Sequence, residues 1–257
     1  MHIRIFDTSD DLARAAAQRV AELLQRTPNA VLGLATGRTP LETYAELRRS
    51  YARGAADFSH ATTFNLDEFV GIDRTHPGSF RRYMDMKLFD EVNLDLSRIH
   101  FLDGMASDLG AECVRYERAI EDRGGIDLQL LGIGANGHIG FNEPADELIA
   151  STHRVMLHET TRRDNAAQFG GDPTRVPHEA LSMGMGTILK ARAVLLLAMG
   201  SRKAHCVERA VYGPLTTRLP ASFLQTHRAV ELLLDRQAAA LLREPLPTGS
   251  VSSGSGR

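Results

Sequence analysis

The sequence predicts an α/β fold in which a mostly parallel sheet is covered by helices on both faces. Short apolar runs alternate along the chain with longer segments of helical periodicity. The strongest run, Ala193–Met199, is continuously apolar, which is typical of a strand buried on both faces of a parallel sheet. The 257 residues are enough for one large α/β domain or two small ones.

Eight segments have the length and apolar composition of strands, and most of them end in glycine or polar residues. In chain order the predicted strands are Ile3–Phe6, Ala30–Ala35, Ala61–Asn65, Ile99–Leu102, Ile126–Ile133, Thr152–Leu157, Ala193–Met199 and Ala229–Asp235.

The first two helices follow the first two strands. An alanine- and leucine-rich segment, Thr8–Gln25, predicts a helix with Ser9 or Asp10 as its N-cap. The second helix begins after Thr39, which suits the N-cap position, and Pro40 suits the first helical turn. Glu42 completes a T-x-x-E capping box, so a helix is expected from Leu41 to about Arg53.

Four further helices are expected along the chain. Ser79 caps a helix that runs to about Phe89, and an amphipathic helix covers Asp108–Arg123. A helix ending near Tyr212 follows the seventh strand, and another ends near Arg243 after the last strand. We expect one domain over residues 1–246, and the low-complexity residues 247–257 are predicted to be a disordered tail.

Composition excludes several classes of partner. The formal net charge is −2, from 30 basic and 32 acidic residues, so no global positive field recruits nucleic acid or a membrane. The N-terminal apolar run is too short for a signal peptide, and no window approaches a membrane span. Cys113 and Cys206 lie far apart in helix-like segments and are expected to be free thiols, which indicates a cytoplasmic protein.

A glycine-rich loop follows the fifth predicted strand and presents His138 and Glu143. Gly132, Gly134 and Gly137 match the G-x-G-x-x-G dinucleotide pattern, but the segment after Gly137 cannot open the long helix that this pattern requires. A nicotinamide cofactor is therefore not expected. In open α/β sheets ligands bind at the carboxyl ends of the strands, where this loop lies.

Three other strand ends carry polar groups. Thr36, Gly37, Arg38 and Thr39 lie between the second strand and a helix N-terminus, where unpaired N–H groups favour a phosphate. Lys203 follows the seventh strand and adds a cation, although a solvated lysine is an equally good interpretation of that residue alone.

The third strand is followed by two adjacent carboxylates, Asp67 and Glu68. Neighbouring side chains on extended backbone point in opposite directions, so we expect only one of them to face the cleft. Together with His138, these groups suit either proton abstraction next to a sugar carbonyl or hydrolysis of a sugar-phosphate lactone with histidine as the base. A metal site built from Asp67, His138 and Glu143 is the weaker alternative, since the spacing is not that of a helical metal motif.

Four motifs occur in the order found in a known family: Gly33–Pro40, Phe64–Gly71, Gly132–Pro144 and Gly200–Ala204. Together they resemble the glucosamine-6-phosphate deaminase/isomerase family, and the resemblance covers about Ile3 to Arg243. It implies a single Rossmann-like domain, a small-molecule amino-sugar phosphate as substrate, and neither a metal nor an organic cofactor.

The resemblance also implies roles for particular residues. Asp67 would move the C2 proton to C1, and Glu68 would support substrate binding or orientation. His138 would open the pyranose ring, and Glu143 would hold its imidazole in the required tautomer. Gly137 would contact the substrate through the backbone of the glycine loop. The phosphate site would be formed by Thr36, Gly37, Thr39 and Lys203.

This chain departs from the family pattern at three positions, and one of them is Arg38, which stands where the phosphate loop commonly has a second small residue. Asn136 stands where many members have Asp, and an amide cannot take up a proton, so any proton relay with His138 falls to Glu143. The lid segment, about residues 157–180, has Ala167 where the family often has a phosphate-binding Arg. We hypothesise that Arg38 supplies this guanidinium; the alternative is that Arg162 or Arg163 does so.

The departures leave three alternatives open for the function. The substrate could be another amino-sugar phosphate, such as galactosamine 6-phosphate. A 6-phosphogluconolactonase is the same-fold alternative, and a sugar-phosphate sensor is the non-enzymatic one. The stretch Ser151–Met156 matches poorly the basic segment of hexameric, allosterically activated members, so we expect a monomer or a small homo-oligomer without such activation.

Overall fold

The computed structural model describes residues 1–243 and 251–252 and confirms the predicted fold class. A sheet of eight parallel strands has the order β11-β1-β10-β9-β6-β2-β3-β5. Its strands are β1 (His2–Phe6), β2 (Val31–Leu34), β3 (Thr62–Asn65), β5 (Ile99–His100), β6 (Leu128–Gly132), β9 (Ala193–Ala198), β10 (Val230–Asp235) and β11 (Val251–Ser252).

A second, antiparallel sheet of three strands lies beside the first, in the order β4-β8-β7. Its strands are β4 (Asp67–Phe69), β7 (His153–Met156) and β8 (Glu179–Ser182). The predicted strand at Thr152–Leu157 therefore exists but belongs to this smaller sheet. The short strands β4 and β8 have no counterpart among the predicted elements, because three or four residues give too little periodicity to recognise.

Seven α-helices occur in the described residues, together with 3-10 helices of three to seven residues. They are α1 (Ser9–Arg26), α2 (Leu41–Ala52), α3 (Phe80–Lys87), α4 (Leu109–Asp122), α5 (Glu159–Asn165), α6 (Met185–Leu189) and α7 (Ala204–Tyr212). The short helix α6 was not predicted from the sequence.

Two apolar clusters fill the faces of the parallel sheet. One includes Leu12 of α1, Leu47 of α2 and Met84 of α3, so these helices cover one face. The other includes Tyr116 of α4 and Val207 of α7, which cover the opposite face. The central strands are buried on both sides, and this explains why their sequences are continuously apolar rather than alternating.

Two predicted helix caps differ from the structure. Thr8, not Ser9 or Asp10, caps α1, and its hydroxyl accepts from the Asp11 N–H at 3.1 Å. Thr39 makes no capping bond to α2, whose N-cap position is taken by Pro40. The helix begins at Leu41 as predicted, but the capping box with Glu42 does not form, because the chain passes through a bend and a turn at residues 37–40.

The predicted C-terminal helix is wrong, because residues 236–241 form successive turns after β10. The predicted cap at Ser79 is confirmed, since its side chain accepts from the Arg82 N–H. Asp108, predicted as the first residue of a helix, is instead the N-cap of α4 and accepts from the Ala111 N–H. The predicted disordered tail, residues 247–257, lies outside the described residues except for Val251–Ser252, which pair with β1 rather than lacking structure. No helix in residues 1–243 is long and apolar enough to cross a bilayer.

Candidate functional site

The candidate site lies where four neighbouring strands of the parallel sheet end. Strands β9, β6, β2 and β3 are adjacent and point in the same direction. Their carboxyl ends therefore bring together the loops that carry Lys203, His138, Thr36 and Asp67. This convergence was expected from the sequence, and the strand order shows that no other strand intervenes between these loops.

Glycines shape the loop after β6. Gly134 N–H donates to the His138 carbonyl at 2.9 Å, and Gly137 N–H donates to the Gly134 carbonyl at 3.0 Å. A Cβ on Gly134 would lie 2.3 Å from the His138 ring, so only glycine allows the imidazole to lie against this backbone. Gly137 has φ +88°, a value that other residues rarely adopt.

His138 and Glu143 lie side by side within this loop. Nδ1 of His138 lies 3.4 Å from Oε2 of Glu143, and the histidine side chain is one-fifth exposed. The distance is longer than a good hydrogen bond, as is common in catalytic pairs without substrate. An imidazole paired through Nδ1 leaves Nε2 for a substrate.

Glu143 is held by two further side chains. The Asn136 amide donates to Oε2 at 2.8 Å, and the Thr161 hydroxyl donates to Oε1. Burial opposes ionisation of this carboxyl, but the hydrogen bond and charge of His138, with the donors Thr161 and Asn136, lower its pKa to about 2. Glu143 is therefore a fixed negative charge at neutral pH.

Asp67 lies in β4 and is 6% exposed. Burial, with a smaller contribution from the charge of Glu68, raises the pKa of this carboxyl to about 8. A Cβ on Gly140 would lie 3.5 Å from Asp67 Oδ2, so the loop that carries His138 passes directly over this carboxylate. Within residues 1–243 no side chain or backbone group donates a hydrogen bond to it, which leaves both oxygens for a substrate.

Glu68 does not face the same cleft as Asp67, as the alternation of an extended strand requires. Its carboxylate accepts from the N–H groups of Phe80 and Arg81, both at 3.0 Å, and from the Ser79 hydroxyl at 2.7 Å. These groups form the N-terminus of α3. Both oxygens of Glu68 therefore anchor a helix, and a role of Glu68 in substrate binding or orientation stays a prediction.

The predicted anion cradle lies between β2 and α2. Gly37 has φ +100°, and the Tyr83 hydroxyl fixes its carbonyl by donating at 2.6 Å. Thr36, Gly37 and Thr39 are partly exposed, as residues that bind a ligand must be. The cradle faces the N-terminus of α2, whose first N–H groups and dipole favour an anion.

Lys203 extends this positive region from the end of β9. Burial lowers the pKa of its ammonium group, and the charges of Arg202 and Arg38 lower it further. Arg38 is exposed but close enough to Lys203 for their charges to interact.

The two arginines that could replace Arg38 are engaged elsewhere. Arg162 donates to the carbonyls of Pro173 at 3.0 Å and Val176 at 3.1 Å, and Arg163 pairs with Glu159.

Residues 1–243 contain no group of three or more His, Cys, Asp or Glu side chains arranged to hold a metal ion. The residues that sequence analysis missed are Thr161, which reaches Glu143 from α5, and Ser182 of β8, which accepts the Phe141 N–H at 3.1 Å. A threonine in a polar helix carries no pattern that would reveal such a contact in advance.

The fold and the site define an α/β protein with an anion cradle, a buried carboxylate and a carboxylate-paired histidine at one sheet edge. Residues 7–233 match the model of the glucosamine-6-phosphate isomerases/6-phosphogluconolactonase family. The chain belongs to this family, and the resemblance stated from the four motifs is confirmed.

Similar proteins cover nearly the whole chain. A glucosamine-6-phosphate deaminase from Halothermothrix orenii is 48% identical over 94% of this chain and its own full length. One from Clostridium tetani is 44% identical over the same share of this chain. Among solved structures, a monomeric glucosamine-6-phosphate deaminase has a TM-score of 0.91 at 42% identity, covering 94% of this chain and all of its own. A 6-phosphogluconolactonase from Trypanosoma cruzi shares the fold, with a TM-score of 0.74 at 19% identity.

Proposed function

We propose that this chain converts glucosamine 6-phosphate and water to fructose 6-phosphate and ammonia. The observation that carries the proposal is the placement of buried Asp67 beneath the loop that holds the His138–Glu143 pair. This is an acid–base arrangement with two separate proton carriers. The deaminases from Halothermothrix orenii and Clostridium tetani support the reaction, since they match at 48% and 44% identity over 94% of the chain.

Ring opening is the step assigned to His138. Its imidazole would take the proton from the anomeric hydroxyl and return one to the ring oxygen, which exposes the aldehyde at C1. Glu143, ionised at neutral pH because its pKa is about 2, would hold Nδ1 protonated and aim Nε2 at the sugar. Asn136 takes no part in proton transfer; its amide holds Glu143 in place.

Asp67 is assigned the carbon chemistry. In its ionised form it would remove the proton from C2 and deliver it to C1. The C1 oxygen gains the proton that the ammonium group on C2 loses, which leaves a hydroxyl group on C1 and an iminium carbon at C2. Water then adds to C2 and ammonia leaves, so the atoms balance to a ketose phosphate. A carboxylate with a pKa raised to about 8 is a stronger base than an ordinary aspartate, which suits abstraction from carbon.

The phosphate would be held by Thr36, Gly37, Thr39 and Lys203, with Arg38 supplying the guanidinium that the lid lacks at Ala167. Arg38 supports this assignment by lying near Lys203 without an ion-pair partner in residues 1–243, whereas Arg162 and Arg163 have their own partners. Gly137 would contribute backbone contacts to the sugar. Residues 157–180 would act as the lid over the bound substrate, and the buried free cysteines fit a cytoplasmic protein.

The test is ammonia release from glucosamine 6-phosphate by purified protein, with galactosamine 6-phosphate and 6-phosphogluconolactone assayed in parallel. We expect release from the glucosamine ester, lost in Asp67→Asn and kept in Asp122→Asn, a matched change at an exposed position on α4. Ammonia release from galactosamine 6-phosphate alone would support the proposed mechanism but show that the substrate is galactosamine 6-phosphate. Lactone hydrolysis that survives Asp67→Asn, without ammonia release, would refute the proposal.

A further inference from the structure

Thr161 connects the lid segment to the acid–base pair. We propose that Thr161 is a positioning residue: its hydroxyl holds Glu143 in the orientation that lets His138 open the sugar ring, and it does so only while α5 is docked. The inference rests on the proposed function and adds a residue to it that none of the four motifs contains.

The contact itself is buried on both sides. The Thr161 hydroxyl donates to Oε1 of Glu143, and the two residues are 2% and 6% exposed. Threonine hydroxyls in helices usually bond to a carbonyl in the preceding turn, whereas this one leaves its helix to reach the loop after β6. Oε2 of Glu143 faces Asn136 and His138, so donors on opposite sides fix the plane of the carboxylate.

The position of Thr161 depends on the rest of the lid segment. The Asn165 amide donates to the Thr161 carbonyl at 2.9 Å. Arg162, the next residue, is bonded to the carbonyls of Pro173 and Val176, which ties α5 to the end of the lid. In the described part of the chain, Thr161 makes the only side-chain hydrogen bond from the lid segment to Asn136, His138 or Glu143.

Phe169 anchors the middle of the lid segment, in the 3-10 helix that directly follows α5. Its ring lies 5.4 Å from that of Phe69 and 5.7 Å from that of His76. A Cβ on Gly78 would lie 2.4 Å from the Phe169 ring, so the glycine provides the seat for this aromatic side chain. The packing of Phe169 against Phe69, His76 and Gly78 therefore fixes the position of α5. That position brings the Thr161 hydroxyl within hydrogen-bond reach of Glu143.

The first experiment compares Thr161→Val with Thr161→Ser and with Thr160→Val. Valine keeps the shape and removes the hydroxyl, serine restores it, and Thr160 is an exposed neighbour on the same helix. We expect kcat for ammonia release to fall roughly 10-fold in Thr161→Val, as for the loss of a buried hydrogen bond to a charged group. Thr161→Ser should recover most of this loss, and Thr160→Val should match the wild type.

The second measurement separates positioning from simple damage to the pocket. An open-chain amino-alditol 6-phosphate needs no ring opening, so its inhibition constant should be the same in Thr161→Val and the wild type. A purely structural role predicts weaker binding of this inhibitor together with a higher KM. Equal loss of inhibitor binding and kcat would overturn the proposal.

The link to the lid is tested by a double-mutant cycle with Phe169→Ala. If Phe169 acts on Glu143 through Thr161, the two losses in kcat overlap and the double variant is little slower than the slower single variant. Losses that multiply would show that the two residues act independently, and this result would refute the coupling.

The two proposals fail in different ways. A wild-type protein that releases no ammonia refutes the proposed function before any variant is made. An active wild type whose Thr161→Val variant keeps the same kcat refutes only the role of Thr161.

Discussion

At the scale of single residues, the site contains two carboxylates with opposite environments. The Asp67 carboxylate accepts no hydrogen bond from residues 1–243, and burial raises its pKa to about 8, whereas the neighbouring His138 and the donors Thr161 and Asn136 lower the pKa of Glu143 to about 2. One residue is therefore able to exchange a proton near neutral pH and the other is a fixed charge. Divergent pKa values of this kind separate the roles of acid–base groups in a shared site.

The burial of Asp67 predicts a gain in stability on its removal. The pKa of Asp67 is higher in the folded protein than in the unfolded chain. The folded state therefore has its full stability below about pH 4, where Asp67 is neutral, and loses stability as the pH rises to about 8. Asp67→Asn should therefore match the wild type at about pH 4 and be more stable at about pH 8, by more than about 1 kcal/mol. Urea unfolding at both pH values measures this.

Asp122→Asn is the control for this comparison, since that carboxyl is exposed and its replacement should leave the pH dependence unchanged. The explanation fails if the stability difference between Asp67→Asn and the wild type is the same at both pH values.

Arg38 gives the second prediction at this scale. Arg38→Ala should raise KM for the sugar phosphate by an amount equivalent to roughly 1.5–3 kcal/mol, because a charge-assisted contact to the phosphate is lost. Steady-state kinetics measure the change, with Arg228→Ala, at the opposite edge of the sheet, as the control. An unchanged KM in Arg38→Ala would mean that Arg38 points to solvent.

At the scale of elements, the N-terminus of α3 is held by Glu68, the residue next to Asp67. Glu68 accepts from Ser79, Phe80 and Arg81, so its charge lies at the positive end of the helix dipole. The same charge contributes to the raised pKa of Asp67. One helix terminus thus helps to fix the position of β4 and, through the charge of Glu68, adds to the effect of burial on the pKa of Asp67.

Glu68→Gln tests this arrangement. The amide group would face backbone donors, so the free energy of unfolding should fall by about 1–3 kcal/mol. Removing the like charge should lower the pKa of Asp67, and the acidic limb of the kcat/KM profile should move to lower pH. The competing idea, that Glu68 binds substrate, predicts a higher KM in Glu68→Gln and an acidic limb of the kcat/KM profile at the same pH as in the wild type. A pH–rate profile with thermal unfolding distinguishes the two.

At the scale of the whole molecule, the parallel sheet explains how distant segments form one site. Four loops separated by up to about two-thirds of the chain meet because their strands are adjacent and parallel. The antiparallel sheet β4-β8-β7 then places Asp67 below the loop after β6 and supports the lid segment, whose ends join β7 and β8.

We expect this protein to work as a monomer or a small oligomer with hyperbolic kinetics. The structurally similar deaminase is described as monomeric, and Ser151–Met156 lacks the basic pattern of allosterically activated members. Rate curves for glucosamine 6-phosphate should be hyperbolic with or without N-acetylglucosamine 6-phosphate. Sigmoidal curves that become hyperbolic when this effector is added would contradict the prediction, and light scattering gives the mass.

Much of the fold and part of the site followed from the sequence alone. The continuously apolar strands and their helical partners predicted a parallel sheet, because a strand covered on both faces has no polar side. That sheet placed Thr36, Asp67, His138 and Lys203 at a common edge. The cap at Ser79 was also correct, since a single hydroxyl and its local backbone specify it.

Only the tertiary structure decided which contacts these groups make. Glu68 anchors α3, Arg162 ties the lid together, and Thr161 reaches Glu143; each partner lies 11 or more residues away. Thr39 failed as a cap and the chain after Asp235 formed turns, because local preferences of about 1 kcal/mol yield to the packing around them. Local sequence sets strands, helices and their order, whereas the surroundings of a buried charge depend on segments that meet only in the folded chain.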